Sequence, residues 1–116
     1  MKYLTIFGLI VLTGCVSTPP EPSQDLHFSS PPHLWSGQKI IGYPPESCAK
    51  KAVGILEVLS FTSVVRNGNY VYGNFSGNRA AIKCVPNGDE TFAYAAVAGP
   101  EKEEVEHLRN EIVWRL

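Results

Sequence analysis

The sequence has almost no surplus of either charge: 10 Lys and Arg stand against 11 Asp and Glu, a formal net charge of −1 at neutral pH. A nucleic-acid binder needs a basic stripe to displace counterions from phosphates, so DNA and RNA are excluded as partners. Long apolar runs are also missing. The one sizeable run, Tyr3 to Leu12, is relieved by Thr5 and Gly8 and falls short of the roughly 20 residues that a membrane-spanning helix requires. With three cysteines and no Cys-x-x-Cys pair, a dithiol redox motif and a paired-cysteine zinc site both drop out.

Catalytic patterns are equally scarce. There is no Gly-x-Ser-x-Gly elbow, no His-Glu-x-x-His and no phosphate-binding loop, and Gly73 to Gly77 is only a turn with two glycines. Three histidines are present. His27 and His33 lie among prolines, and His107 follows Glu103 by one helical turn, a pair with no third ligand at a recognisable spacing. Glu90 beside the Gly88-Asp89 turn is a lone carboxyl. The expectation is a protein that is not an enzyme and holds no cofactor or metal.

What is present begins with the apolar run. It has the length of the middle part of a secretory signal. Leu12, Thr13, Gly14 and Cys15 follow it, and these four residues resemble the lipobox of bacterial lipoproteins. That resemblance implies a signal peptide over 1–14, removed before Cys15, and lipidation of the Cys15 thiol. Several acyl chains on one residue make anchoring stable, since each buried methylene contributes about 0.8 kcal/mol. Val16 stands where an aspartate would signal inner-membrane retention, so the resemblance further implies a lipid-anchored, periplasm-facing protein of the outer membrane. With Cys15 taken by lipid, Cys48 and Cys84 are left as a pair in an oxidising compartment, where a disulfide is the expected outcome.

Seven of the nine prolines lie between Pro19 and Pro45. Residues 15–45 are therefore expected to form an extended, solvated tether. Two stretches in it, His33-Leu34-Trp35 and Lys39 to Tyr43, are more apolar than a spacer needs. They either pack on the domain, as an edge strand for instance, or become ordered on a partner.

Residues 46–116 carry the periodicity of a compact domain. From Glu46 to Ser60, Ala49, Ala52, Val53, Leu56 and Leu59 or Ser60 recur at helical spacing, with Lys50, Lys51 and Glu57 on the outer face. The period then changes to two. Phe61 to Arg66 and Asn69 to Phe75 flank Asn67-Gly68, a hairpin signal. Arg79 to Val85 alternates, placing Ala80, Ile82 and Cys84 on one face and Arg79, Ala81 and Lys83 on the other. Thr91 to Ala98 is apolar enough to be covered on much of both sides. Gly99-Pro100 opens a last helix with Pro100 at its first position and Val105, Leu108, Ile112 and Leu116 as its buried stripe.

The fold class expected is α+β: a two-layer domain of helix, four-stranded antiparallel meander and helix, with one helix-to-strand disulfide. Both helices on one side leave the other sheet face open. Tyr70, Tyr72 and Asn74 then point outward with Arg79 and Lys83, a combination favoured at protein-binding surfaces, although tyrosines are also simply good strand formers. The function expected is that of a membrane-anchored lipoprotein binding another envelope or periplasmic protein, as an inhibitor or immunity protein against an envelope-targeting toxin or hydrolase. The alternative is an accessory or assembly subunit of a secretion or conjugation machine.

Overall fold

The computed structural model describes residues 14–15 and 30–116; residues 1–13 of the expected signal peptide and tether residues 16–29, His27 included, lie outside them. The chain order is β1 (His33–Ile41), α1 (Pro45–Val58), β2 (Thr62–Asn67), β3 (Tyr70–Phe75), β4 (Asn78–Asn87), β5 (Glu90–Gly99) and α2 (Lys102–Arg115). One antiparallel sheet holds all five strands in the order β1-β5-β4-β3-β2. The α+β class, the two helices and the helix-to-strand disulfide stand as expected, but the strand count is five rather than four.

Tight turns set the meander. β2–β3, β3–β4 and β4–β5 each close through a two-residue loop, and Gly68, Ser76, Gly77 and Gly88 in those loops have positive φ. Such turns match the right-handed twist of the flanking strands. Ser63, with φ of 52°, accompanies a register shift in β2 between Thr62 and Val65.

In α1, Pro45 occupies the start of the helix after an extended Pro44, and Cys48, Ala49, Ala52, Ile55 and Leu56 make the buried stripe. The far end shows why the helix stops at Val58. Ser60 takes a left-handed conformation (φ 68°), its N–H donates to the Glu57 carbonyl, and the Phe61 N–H donates back to the Leu56 carbonyl at 2.9 Å. This is a Schellman closure with serine where glycine is usual, and Leu56 and Phe61 are both buried beside it. In α2 the helix starts at Lys102 after an extended Glu101, so Pro100 precedes the helix instead of forming its first residue. Its stripe of Val105, Leu108, Ile112 and Leu116 is buried as expected. Among the described residues no helix is long and apolar enough to cross a membrane.

The fifth strand comes from the segment expected to be tether. β1 pairs with β5 without interruption from His33↔Gly99 to Ile41↔Thr91. Trp35 lies half-buried on the helix side, its ring 5.3 Å from the Arg109 guanidinium carbon. The β1–α1 corner is tied down by side-chain hydrogen bonds: the Thr91 hydroxyl donates to the Tyr43 carbonyl, and the Tyr43 hydroxyl donates to the Leu116 carbonyl.

Both helices cover the same side of the sheet, α1 over β2, β3 and β4 and α2 over β1 and β5. The core lies between these two layers. Leu56, Ile82, Ile112, Val71, Val97 and Val105 are its large, fully buried side chains. The Cys48–Cys84 disulfide crosses it from α1 to β4 with a Cα–Cα distance of 6.0 Å.

Candidate protein-binding face

Alternation along the strands sorts every residue to one side of the sheet or the other. On β4, Ala80, Ile82 and Cys84 are buried beneath the helices while Arg79 and Lys83 are exposed; on β3, Val71 and Gly73 are buried while Tyr70 is exposed and Tyr72 and Asn74 are half-exposed. Tyr70, Tyr72, Asn74, Arg79 and Lys83 therefore share the helix-free side.

Register places them relative to one another. Tyr70 pairs with Lys83, Tyr72 with Ala81, and Asn74 with Arg79. The Tyr70 and Tyr72 rings are 5.2 Å apart, and the Arg79 guanidinium carbon sits 5.5 Å from the Tyr72 ring centre. The Arg79 Nε donates to the Asn74 side-chain oxygen at 3.2 Å. Arginine, amide and two aromatic rings thus form one braced group, each neighbour restricting the rotamers of the next. A preordered group loses less freedom when a partner lands on it.

Following the register outward reveals residues that the sequence reading left out. Lys83 pairs with Tyr94 and Val85 with Phe92 across β4–β5, and Tyr94 pairs with Gln38 and Phe92 with Ile40 across β5–β1. On the far side Val65 lies opposite Tyr72. Of the eight large apolar side chains most exposed in the described residues, six, namely Leu34, Ile40, Val65, Tyr70, Val85 and Tyr94, lie on this one face. β5 is consequently not covered on both sides. Thr91, Ala93, Ala95 and Val97 are buried under the helices, Phe92, Ala96 and Ala98 are only half-buried, and Tyr94 is exposed.

The other two exposed apolar residues, Val58 and Trp114, flank a groove between α1 and α2 that Lys51, Gly54, Ile55 and Arg115 complete. Its two cations are already engaged. The Lys51 ammonium donates to the Leu116 carbonyl at 3.4 Å, and Arg115 pairs with Glu111 at 3.1 Å.

Elsewhere the chemistry is sparse. Cys15 is exposed, His33 lies exposed on β1, and Glu103 and His107 are exposed on α2. No group of three potential metal ligands occurs among the described residues. Glu90 is exposed at the β4–β5 hairpin, opposite Asn87. The chain matches no protein-family model, and no curated protein is similar to it in sequence.

Proposed function

We propose that this protein is a lipoprotein of the outer membrane, anchored through Cys15, whose domain binds another envelope protein on the open sheet face and acts without catalysis of its own. Its concrete role is that of an inhibitor or immunity protein which blocks an envelope-targeting toxin or hydrolase at the membrane where attack occurs. The observation that supports this reading is the concentration of Leu34, Ile40, Val65, Tyr70, Val85 and Tyr94 on one side of the sheet. Exposed apolar residues scattered singly need no explanation, whereas six on one face, with Lys83 between Tyr70 and Tyr94 and Arg79 beside Tyr72, favour an interaction surface.

Two experiments test the two halves of the proposal. Affinity capture from envelope extracts compares the native domain with a Tyr70→Ala, Tyr94→Ala, Arg79→Ala variant. The native bait enriches a partner that the variant loses while keeping its far-ultraviolet circular dichroism, and equal recovery by both baits rejects the face. Intact-mass analysis of the mature protein tests the anchor: diacylglyceryl modification is expected on Cys15, and an unmodified Cys15 thiol overturns it.

A further inference from the structure

The sheet ends in two unlike strands. β2 is six residues long and broken by the irregularity at Ser63, a device that twists an edge away from further pairing. β1 is nine residues long, keeps an unbroken register with β5 and contains no proline. It is the edge without a bulge.

The hydrogen-bonding direction of β1 follows from the ladders. The Cys84 N–H donates to the Asn69 carbonyl at 2.9 Å, so Tyr70 and Lys83 form a non-hydrogen-bonded pair and Lys83 directs its backbone groups toward β5. Along the same row Tyr94 faces Lys83, and Gln38 beyond it must point its backbone away from β5. Leu34, Ser36, Gln38 and Ile40 therefore present their N–H and C=O groups to the outside. The Ser36 carbonyl confirms the direction, because the Arg109 Nη1 reaches it at 3.3 Å. A carbonyl oxygen has a second lone pair to offer.

The side chains of that edge complement themselves. An antiparallel copy can match outward groups with outward groups only if the twofold axis passes through a residue position. An axis at Gly37 pairs Leu34 with Ile40 and Ser36 with Gln38. An axis at Ser36 or Gln38 sets Leu34 or Ile40 against a polar residue or beyond the strand. Leu34 is 70% exposed and Ile40 49%, so the Gly37 axis covers apolar surface twice over by symmetry.

We infer that β1 is a homodimer interface in which two copies pair antiparallel about Gly37, joining two five-stranded sheets into one of ten strands. The partner is a second copy of this chain, and the interface is isologous. This inference is independent of what binds the open face. It makes the two open faces a single continuous surface.

Register-specific cross-linking in the full chain tests it. Residues 34 and 40 of opposite copies stand as a hydrogen-bonded pair, with Cα atoms about 5.5 Å apart, within disulfide reach. Residue 34 and its own symmetry mate are about 20 Å apart at strand spacing. A chain carrying Leu34→Cys and Ile40→Cys yields a covalent dimer on mild oxidation, while either substitution alone yields no more than the native chain. Cross-linking by Leu34→Cys alone, or none with both, overturns the proposal, as does a native chain that sediments as a monomer at about 100 μM. Ser36→Pro supplies the second arm. The Ser36 N–H points outward, so proline there leaves the β5 ladder intact and shifts the sedimenting species from dimer to monomer. A dimer that persists in Ser36→Pro refutes the edge.

Discussion

Removing the disulfide with a Cys48→Ala, Cys84→Ala pair tests how far this small core depends on its covalent link. The two cysteines are 36 positions apart, and closing a loop of that length in the unfolded chain corresponds to about 4 kcal/mol. Packing adds to this. Cys48 is fully buried and Cys84 is 2% exposed, so trimming each to alanine costs about 1 kcal/mol more. Net stability for the ordered part of the chain is about 4–13 kcal/mol on a per-residue scale, so a loss of about 6 kcal/mol takes nearly half of it or all of it. Urea unfolding followed by Trp35 and Trp114 fluorescence measures this. With a slope of about 1 kcal/mol per molar, the midpoint falls by about 6 M or the variant is unfolded in buffer. A loss under about 1 kcal/mol would refute the reasoning, since it would mean that the link does not restrict the unfolded ensemble. Two thiols open to alkylation in unreduced, urea-unfolded native protein would refute it at its root.

Four smaller perturbations follow from single positions. Thr91→Val keeps the shape of a fully buried side chain but strips the Tyr43 carbonyl of its donor; a loss of about 1–3 kcal/mol is expected, read as a lower melting temperature. Gly99→Ala drives a methyl group into the Asn78 side-chain oxygen and to 3.0 Å from the Val105 Cγ2, and overpacking of this kind lowers stability by about 1–3 kcal/mol. Gly54→Ala, in the interior of α1 with no atom within 4 Å of the added carbon, has the opposite sign and stabilises by about 1 kcal/mol in the same melts. Arg115→Ala changes stability by less than about 0.5 kcal/mol, because it and Glu111 form a half-exposed pair one turn apart.

The parts of this fold that could be read from the chain are those whose signals are local. Asn67-Gly68, Ser76-Gly77 and Gly88-Asp89 mark turns because only a few residue types accept their backbone angles, and Ala80, Ile82 and Cys84 mark a buried face by strict alternation. The disulfide could be read because lipidation of Cys15 would leave Cys48 and Cys84 as an even pair in an oxidising compartment, with Cys84 on an inward strand position. β1 could not. Its register partners lie 50 to 66 positions away, and Leu34 beside Trp35 and Ile40 beside Ile41 put apolar residues on both faces, which erases a period of two. Tyr94 and Phe92 were missed for a related reason. Nearly every position from Phe92 to Ala98 is apolar, so the pattern does not say which half the helices cover. The start of α2 was misplaced because Pro100 suits a first helical position as well as it suits the extended approach it takes.

The placement of β1 also sets an order of events during synthesis. It is made before the other described strands, yet its sole partner, β5, is the last of them to appear. Until Thr91 to Gly99 emerges, the meander of β2, β3 and β4 can close through neighbouring turns while His33–Ile41 has nowhere to dock. Long-range pairing of this sort is slow, and a waiting strand with Leu34, Trp35, Ile40 and Ile41 invites premature association. A folding chain thus keeps its first described strand unpaired until β5 is in place.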